Sequence, residues 1–169
     1  MLRPLRLDDV EPFAAATKAD DQLGVLLGFD QDPGEEYVRE RLRDERRKLR
    51  EGRSVAFAIA EPDTGGFRGE VLLHTFEWEH SRAAIGIWVA PDARGHGMGA
   101  CALRLICHYG FEELGLRRLE MTTFPDNEPL VRIAERVGFV SEGVLRSYTF
   151  ERGKRRDLLM LSLLPGDLR

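Results

Sequence analysis

The chain is poor in cysteine, in long apolar runs and in excess charge of either sign, and each shortage closes off a class of function. Only 2 cysteines occur in 169 residues, Cys101 and Cys107. They fall six apart in one helical stretch, which turns them to different faces, so neither a disulfide nor a paired metal site is expected. Unpaired thiols suit a reducing compartment. The opening residues Met1 to Asp9 hold no apolar signal core, and no run approaches the ~20 residues of a membrane-spanning helix. A cytoplasmic location away from membranes is the expectation. The 25 Lys and Arg stand against 29 Asp and Glu, a net charge of −4, which leaves no footprint for nucleic acid. The arginines between Glu35 and Glu51 alternate with Glu36, Glu40, Asp44 and Glu45, as on a solvated helix covering a sheet. No repeat, low-complexity tract or linker divides the chain, so residues 1–169 read as one domain with a sizeable core.

What the chain does have is a glycine-rich turn, Arg94-Gly95-His96-Gly97-Met98-Gly99. It follows the apolar run Ile85 to Val89 and opens a helix-like stretch from about Met98 to Leu114. Strand, glycine turn and helix start form a site for phosphate. Glycine lets the backbone approach an anion and adopt positive φ. The first N–H groups of the helix, including those of Gly99 and Ala100, lack intrahelical partners and sit at the positive end of the dipole. Arg94 adds a cation. A Walker loop would need Lys and Ser or Thr after its last glycine, but Ala100 and Cys101 follow Gly99. The dinucleotide fingerprint wants its third glycine three residues after the second, and Gly95, Gly97 and Gly99 are two apart.

Around this turn the pattern predicts a mixed α/β order. Leu2–Arg6 reads as a strand. Asp8 caps a helix over about 9–18 with Val10, Phe13 and Ala14 on one face. Residues 23–34 read as a mobile loop. Glu35–Glu51 forms a helix with Val38, Leu42 and Leu49 as a thin stripe. Strands follow at 54–61, 67–76 and 82–89, then the glycine turn and its helix, closed by Gly115. A strand at 117–123, a short helix over 128–137 capped by Asn127, and a hairpin of 140–150 with 156–164 complete the chain.

Arg94 to Gly99 also resembles the pyrophosphate loop of the GCN5-related N-acetyltransferases (GNAT), R/Q-x-x-G-x-G/A, at every fixed position. Further blocks resemble the ribosomal-protein-alanine (RimJ/RimL-like) branch of that superfamily. These are Ile85-Gly86-Ile87-Trp88-Val89-Ala90-Pro91, Pro125-Asp126-Asn127, Val137-Gly138-Phe139, and Glu142-Gly143-Val144-Leu145-Arg146 followed by Gly153 and Asp157. Together they cover about half the chain. The resemblance implies the GNAT fold, a mostly antiparallel central sheet splayed between strands four and five and flanked by helices. It implies acetyl-CoA as co-substrate, with no metal. Its pyrophosphate would rest on Arg94, Gly95, His96, Gly97, Met98, Gly99 and Ala100. Its pantetheine arm and acetyl oxygen would meet backbone groups of Ile87, Trp88 and Val89, with Asn127 as a further contact. The acceptor would be a primary amine, on a small molecule or a protein N-terminus, attacking the thioester directly in a ternary complex. A homodimer is compatible with it. The alternatives are a non-catalytic acyl-CoA-binding regulatory module on the same fold and a nucleotide-binding oxidoreductase.

Acyl transfer needs a polarised carbonyl, a proton acceptor for the amine and a partner for the leaving thiolate. Here the chain departs from the family. Many members carry Glu on strand four, yet Arg82 to Val89 holds no carboxylate. The nearest candidates are Glu70 and His74 on one face of the preceding strand, then Glu77 and Glu79 in the turn. The branch also has Ser three residues after its Asn, where this chain has Leu130. No Ser or Tyr occurs between Asn127 and Val137, which leaves water, Ser141 or Tyr148 for the thiolate. Asn127 completes the catalytic set with His74 and Glu70, and also reads as a plain helix cap.

Overall fold

The computed structural model describes residues 1–20, 23 and 34–169. Its strands are β1 (Leu2–Pro4), β2 (Ser54–Ala60), β3 (Phe67–Glu77), β4 (Arg82–Val89), β5 (Arg118–Thr123), β6 (Val140–Glu151) and β7 (Lys154–Leu163). Its α-helices are α1 (Val10–Ala19), α2 (Gly34–Arg50), α3 (Met98–His108) and α4 (Glu128–Val137). The strands form one sheet in the order β1-β2-β3-β4-β5-β7-β6. Every pairing is antiparallel except β4 with β5.

Alternation along the strands sends side chains to two cores. On one face Val71, Leu73, Ile85, Leu119, Met121 and Leu161 pack against Leu103 and Ile106 of α3 and Ala134 and Val137 of α4. On the other, Ala58, Phe67 and Trp88 meet Val10 and Phe13 of α1 and Val38 and Leu42 of α2. Phe13 is fully buried, edge-on to Trp88 at 4.8 Å and stacked on Phe67 at 5.7 Å.

Several expectations are corrected. The first helix is entered through a 3-10 turn, Leu7–Asp9. Asp9, not Asp8, fastens it, accepting the Arg6 N–H at 2.7 Å and the Arg3 guanidinium. On α2, Leu49 is 53% exposed, while Glu45, read as a solvated charge, is buried. Its carboxylate accepts from Ser54 Oγ and Lys48 Nζ, both at 2.8 Å, which satisfies it away from water. The α-helix from Met98 stops at His108 and continues as a π-helical turn, Tyr109–Glu113, before Gly115 at φ 68°. The loop reading of 23–34 lies outside the described residues apart from Leu23, which is buried, and Gly34, which opens α2.

Candidate active site

The parallel β4–β5 pair is short. Arg82, Ala83 and Ala84 pair with Arg118, Leu119 and Glu120, and beyond them the strands part. β4 continues to Val89 along β3, while β5 continues to Thr123 along β7. The result is a wedge whose open end faces the glycine turn. Ala90 donates its N–H to Arg68 O at 2.8 Å, in the same register that pairs Gly69 with Val89. Alternation in an antiparallel ladder then turns the N–H and C=O of Gly86, Trp88 and Ala90 toward β3, and those of Ile85, Ile87 and Val89 into the wedge. Trp88, expected with Ile87 and Val89 as a backbone contact, is corrected on this point. Its peptide groups serve β3, and its side chain lies under α1.

At the mouth of the wedge, Gly95 and Gly97 adopt φ of 83° and 77°, and a Cβ on either would meet nothing within 4 Å. Open space above a left-handed backbone is what an approaching anion requires. Gly97 caps α3, and its carbonyl takes the Cys101 N–H at 3.1 Å. By helix geometry the N–H groups of Met98, Gly99 and Ala100 precede that first bond. Gly99 is buried where α3 meets α4 and β4: a Cβ there would sit 3.4 Å from Ile133 and 3.5 Å from Val89, in ordinary contact with both. Arg94 donates Nε–H to Val89 O at 3.0 Å and pairs with Asp20 at the end of α1. His96, exposed, lines a small cavity of about 160 Å³ with Met1, Pro62 and Leu105. The residues present fit a pyrophosphate.

The expected catalytic set does not converge. Glu70 is fully buried beneath α2 and held at both oxygens. Arg41 donates to Oε1 at 2.9 Å and to Oε2 at 2.8 Å, and Trp88 Nε1–H donates to Oε2 at 3.2 Å. Losing either charge would strand the other, at a cost of about 3–5 kcal/mol. Neither Arg41 nor this pairing was visible in the sequence. The arginine reads as one of many on a charged helix.

His74 shares the α2 face of the sheet and is half-buried. It pairs with Ser54 on one side and Ala84 on the other, so it stands beside the last paired rung of the wedge. Its Nδ1 lies 2.8 Å from Thr75 Oγ1, and its Nε2 is 3.8 Å from where a Gly86 Cβ would be. Burial lowers its pKa, Glu45 opposes that, and Lys48 adds to the lowering. That direction favours the neutral ring, the form a proton acceptor needs. Glu77 ends β3 in a pair with Arg82, and Glu79 sits in the 3-10 turn that follows.

Asn127 caps α4, its Oδ1 accepting from Leu130 N at 3.4 Å, while Nδ2 donates to Thr123 Oγ1 at 3.1 Å. It ties the end of β5 to α4 at the wedge's far wall. Ser141 and Tyr148 lie on β6, with β7 and β5 between them and the wedge. Two residues of the C-terminal sequence blocks have structural roles. A Cβ on Gly138 would fall 1.9 Å from Asp167 O, and Asp157 accepts the Ser147 N–H at 2.6 Å inside the β6 bulge.

Comparison with known proteins names the class. Residues 1–140 match the model of the Acetyltransferase (GNAT) domain, so the chain belongs to the GNAT acetyltransferases. It is an N-acetyltransferase that takes its acetyl group from acetyl-CoA. Among its relatives is YdaF of Bacillus subtilis, a candidate ribosomal N-acetyltransferase, 30% identical over 98% of this chain and 91% of its own length. The N-acetyltransferase YoaA of the same organism is 32% identical, but the match spans 68% of this chain and 64% of YoaA. Spermidine N(1)-acetyltransferase of Escherichia coli is 28% identical over 96% of this chain and 84% of its own. The Mycobacterium smegmatis RimJ structure, solved with CoA-disulfide, superposes with a TM-score of 0.87 at 28% identity, covering 99% of this chain and 82% of that one. These relatives support the RimJ/RimL-like branch, and none supports a purely regulatory module.

Proposed function

We propose that the chain acetylates a primary amine, on a small molecule or a protein N-terminus, by direct attack on acetyl-CoA in a ternary complex. The observation that carries this is the wedge: a parallel strand pair that opens after Ala84, leaving β4 peptide groups facing the gap and a glycine-lined helix start at its mouth. The pyrophosphate rests on Gly95 to Ala100 beside Arg94 and His96. The pantetheine arm follows β4, where the Ile87 and Val89 peptide groups face it. Asn127, on the opposite wall, borders the same arm. The Ile87 N–H, which the alternation turns into the wedge, polarises the thioester carbonyl.

The amine nitrogen bonds to the carbonyl carbon as the C–S bond breaks. His74 accepts the amine proton through Nε2, directly or through one water, because Nδ1 is engaged with Thr75. Glu70 is not the acceptor, since both its oxygens are committed to Arg41 and Trp88. The leaving thiolate takes its proton from water. The reaction runs in the cytoplasm; both thiols are free, and no helix among the described residues is long and apolar enough to cross a membrane. Release of CoA thiol should be followed with spermidine, an alanine-ended peptide and an aminoglycoside. Turnover with at least one supports the proposal, and tight CoA binding without turnover on any amine would remove it.

A further inference from the structure

Among the described residues Glu70 is the most completely buried charged side chain, and nothing in the reaction just described uses it. It is fully enclosed, in direct register with Trp88 across the β3–β4 ladder. The chain of contacts runs Arg41 on α2, Glu70 on β3, Trp88 on β4. Arg41 is itself mostly buried, its guanidinium 5.2 Å above the Phe13 ring that also packs edge-on to Trp88. A buried ion pair contributes little net stability against apolar groups of the same volume. Its presence here points to what it holds in place.

What it holds is the pitch of β4. Trp88 sits between Ile87 and Val89, whose peptide groups border the wedge. Two constraints fix its own peptide: the ladder to β3, and Gly69, where a Cβ would lie 2.3 Å from Trp88 O. The side chain is fixed by ring packing and by one directional contact, Nε1–H to Glu70. A strand free on one edge can twist about its axis, and a donor aimed at a developing oxyanion loses rate steeply when misplaced.

We infer that Arg41, Glu70 and Trp88 form a positioning chain that sets the orientation of the Ile87 and Val89 peptide groups, and thereby links α2 to acyl transfer. The inference rests on the reading that those groups meet the thioester. Arg41 and Glu70 are positioning residues, since neither touches substrate.

The first variant is Trp88→Phe, which keeps a ring against Phe13 and Phe67 and removes the N–H together with the pyrrole half of the indole. Glu70→Gln is the second, leaving an acceptor for the indole but no charge for Arg41. Each is compared with the unaltered protein by kcat and KM with spermidine or an alanine-ended peptide, by thermal melting, and by the infrared carbonyl stretch of bound 13C-acetyl-CoA. The expected result is a kcat lowered about 10- to 100-fold, KM for acetyl-CoA within about twofold, and a carbonyl stretch moved back toward its value in water. A carbonyl stretch lowered equally in the unaltered protein and Trp88→Phe, with unchanged kcat, overturns the chain. A stretch not lowered in the unaltered protein defeats the reading of β4 itself, and the inference with it.

Discussion

Arg82 and Arg118 stand directly opposite each other across the β4–β5 pair, and both donate to the same oxygen, Glu120 Oε1, at 3.2 and 2.6 Å. Like charges facing across a ladder repel. Here one carboxylate offsets both, Glu77 takes Arg82 from one side, and Glu142 takes Arg118 from the other. The network closes the narrow end of the wedge, two rungs from where the strands part. Glu120→Gln should leave two facing guanidinium groups under-compensated. Its melting temperature should fall by about 2–4 °C in low salt, and the deficit should shrink in 1 M salt, where charges are screened. A deficit unchanged by salt would assign the effect to packing instead.

Acid should loosen the same network. Arg118 and then Ser162 hold the Glu142 carboxyl down at about 2, against an ordinary 4.5. Because the folded value is depressed, the stabilisation is complete above pH 4.5 and is lost as pH falls toward 2. The melting-temperature gap between the unaltered protein and Glu142→Gln should therefore be constant near neutrality and close between pH 4.5 and 2.

The glycine turn predicts a clean separation of binding from folding. Gly97 has space around it but φ of 77°. Gly97→Val should tolerate that strain, on the order of 1–2 kcal/mol, and stay folded, while its branched side chain fills the approach to the α3 amides. Calorimetric titration should find CoA binding abolished. A folded variant with unchanged affinity would defeat the assignment of this turn.

Arg94 already pairs with Asp20, so in the proposed site the CoA pyrophosphate would compete with that carboxylate for it. Arg94→Ala should weaken CoA binding moderately, since a charge-assisted bond of about 1.5–3 kcal/mol is lost but the amide cradle remains. Asp20→Asn should strengthen it severalfold, and the gain should vanish in the double variant. Independent effects in the double variant would mean that the pair does not gate binding.

His74→Ala should lower kcat/KM by about 10²–10⁴ with CoA affinity intact. Burial lowers the pKa of this imidazole, so the acid limb of kcat/KM should fall below pH 6.5 and disappear in the variant. An acid limb that survives with full rate would move the base to Glu77, Glu79 or a bound water.

The sequence by itself determined the local features: the described strands and helices to within a few residues, save the π-helical end of the Met98 helix, the glycine turn and the Asn127 cap. Periodicity, glycine spacing and cap chemistry act over one or two turns of chain, so they can be read along it. It also supplied the acetyltransferase resemblance, and it offered Glu70 and His74 as equals on one alternating face. Only the tertiary structure told them apart, because a carboxylate's role depends on what lies across from it in space. Arg41, 29 positions away, closes on Glu70, while His74 keeps Nε2 toward Gly86. Tertiary packing likewise buried Glu45, exposed Leu49 and turned the Trp88 peptide to β3. Which side of a strand is free, and which charge finds a partner, are properties of the assembled sheet and the helix laid over it.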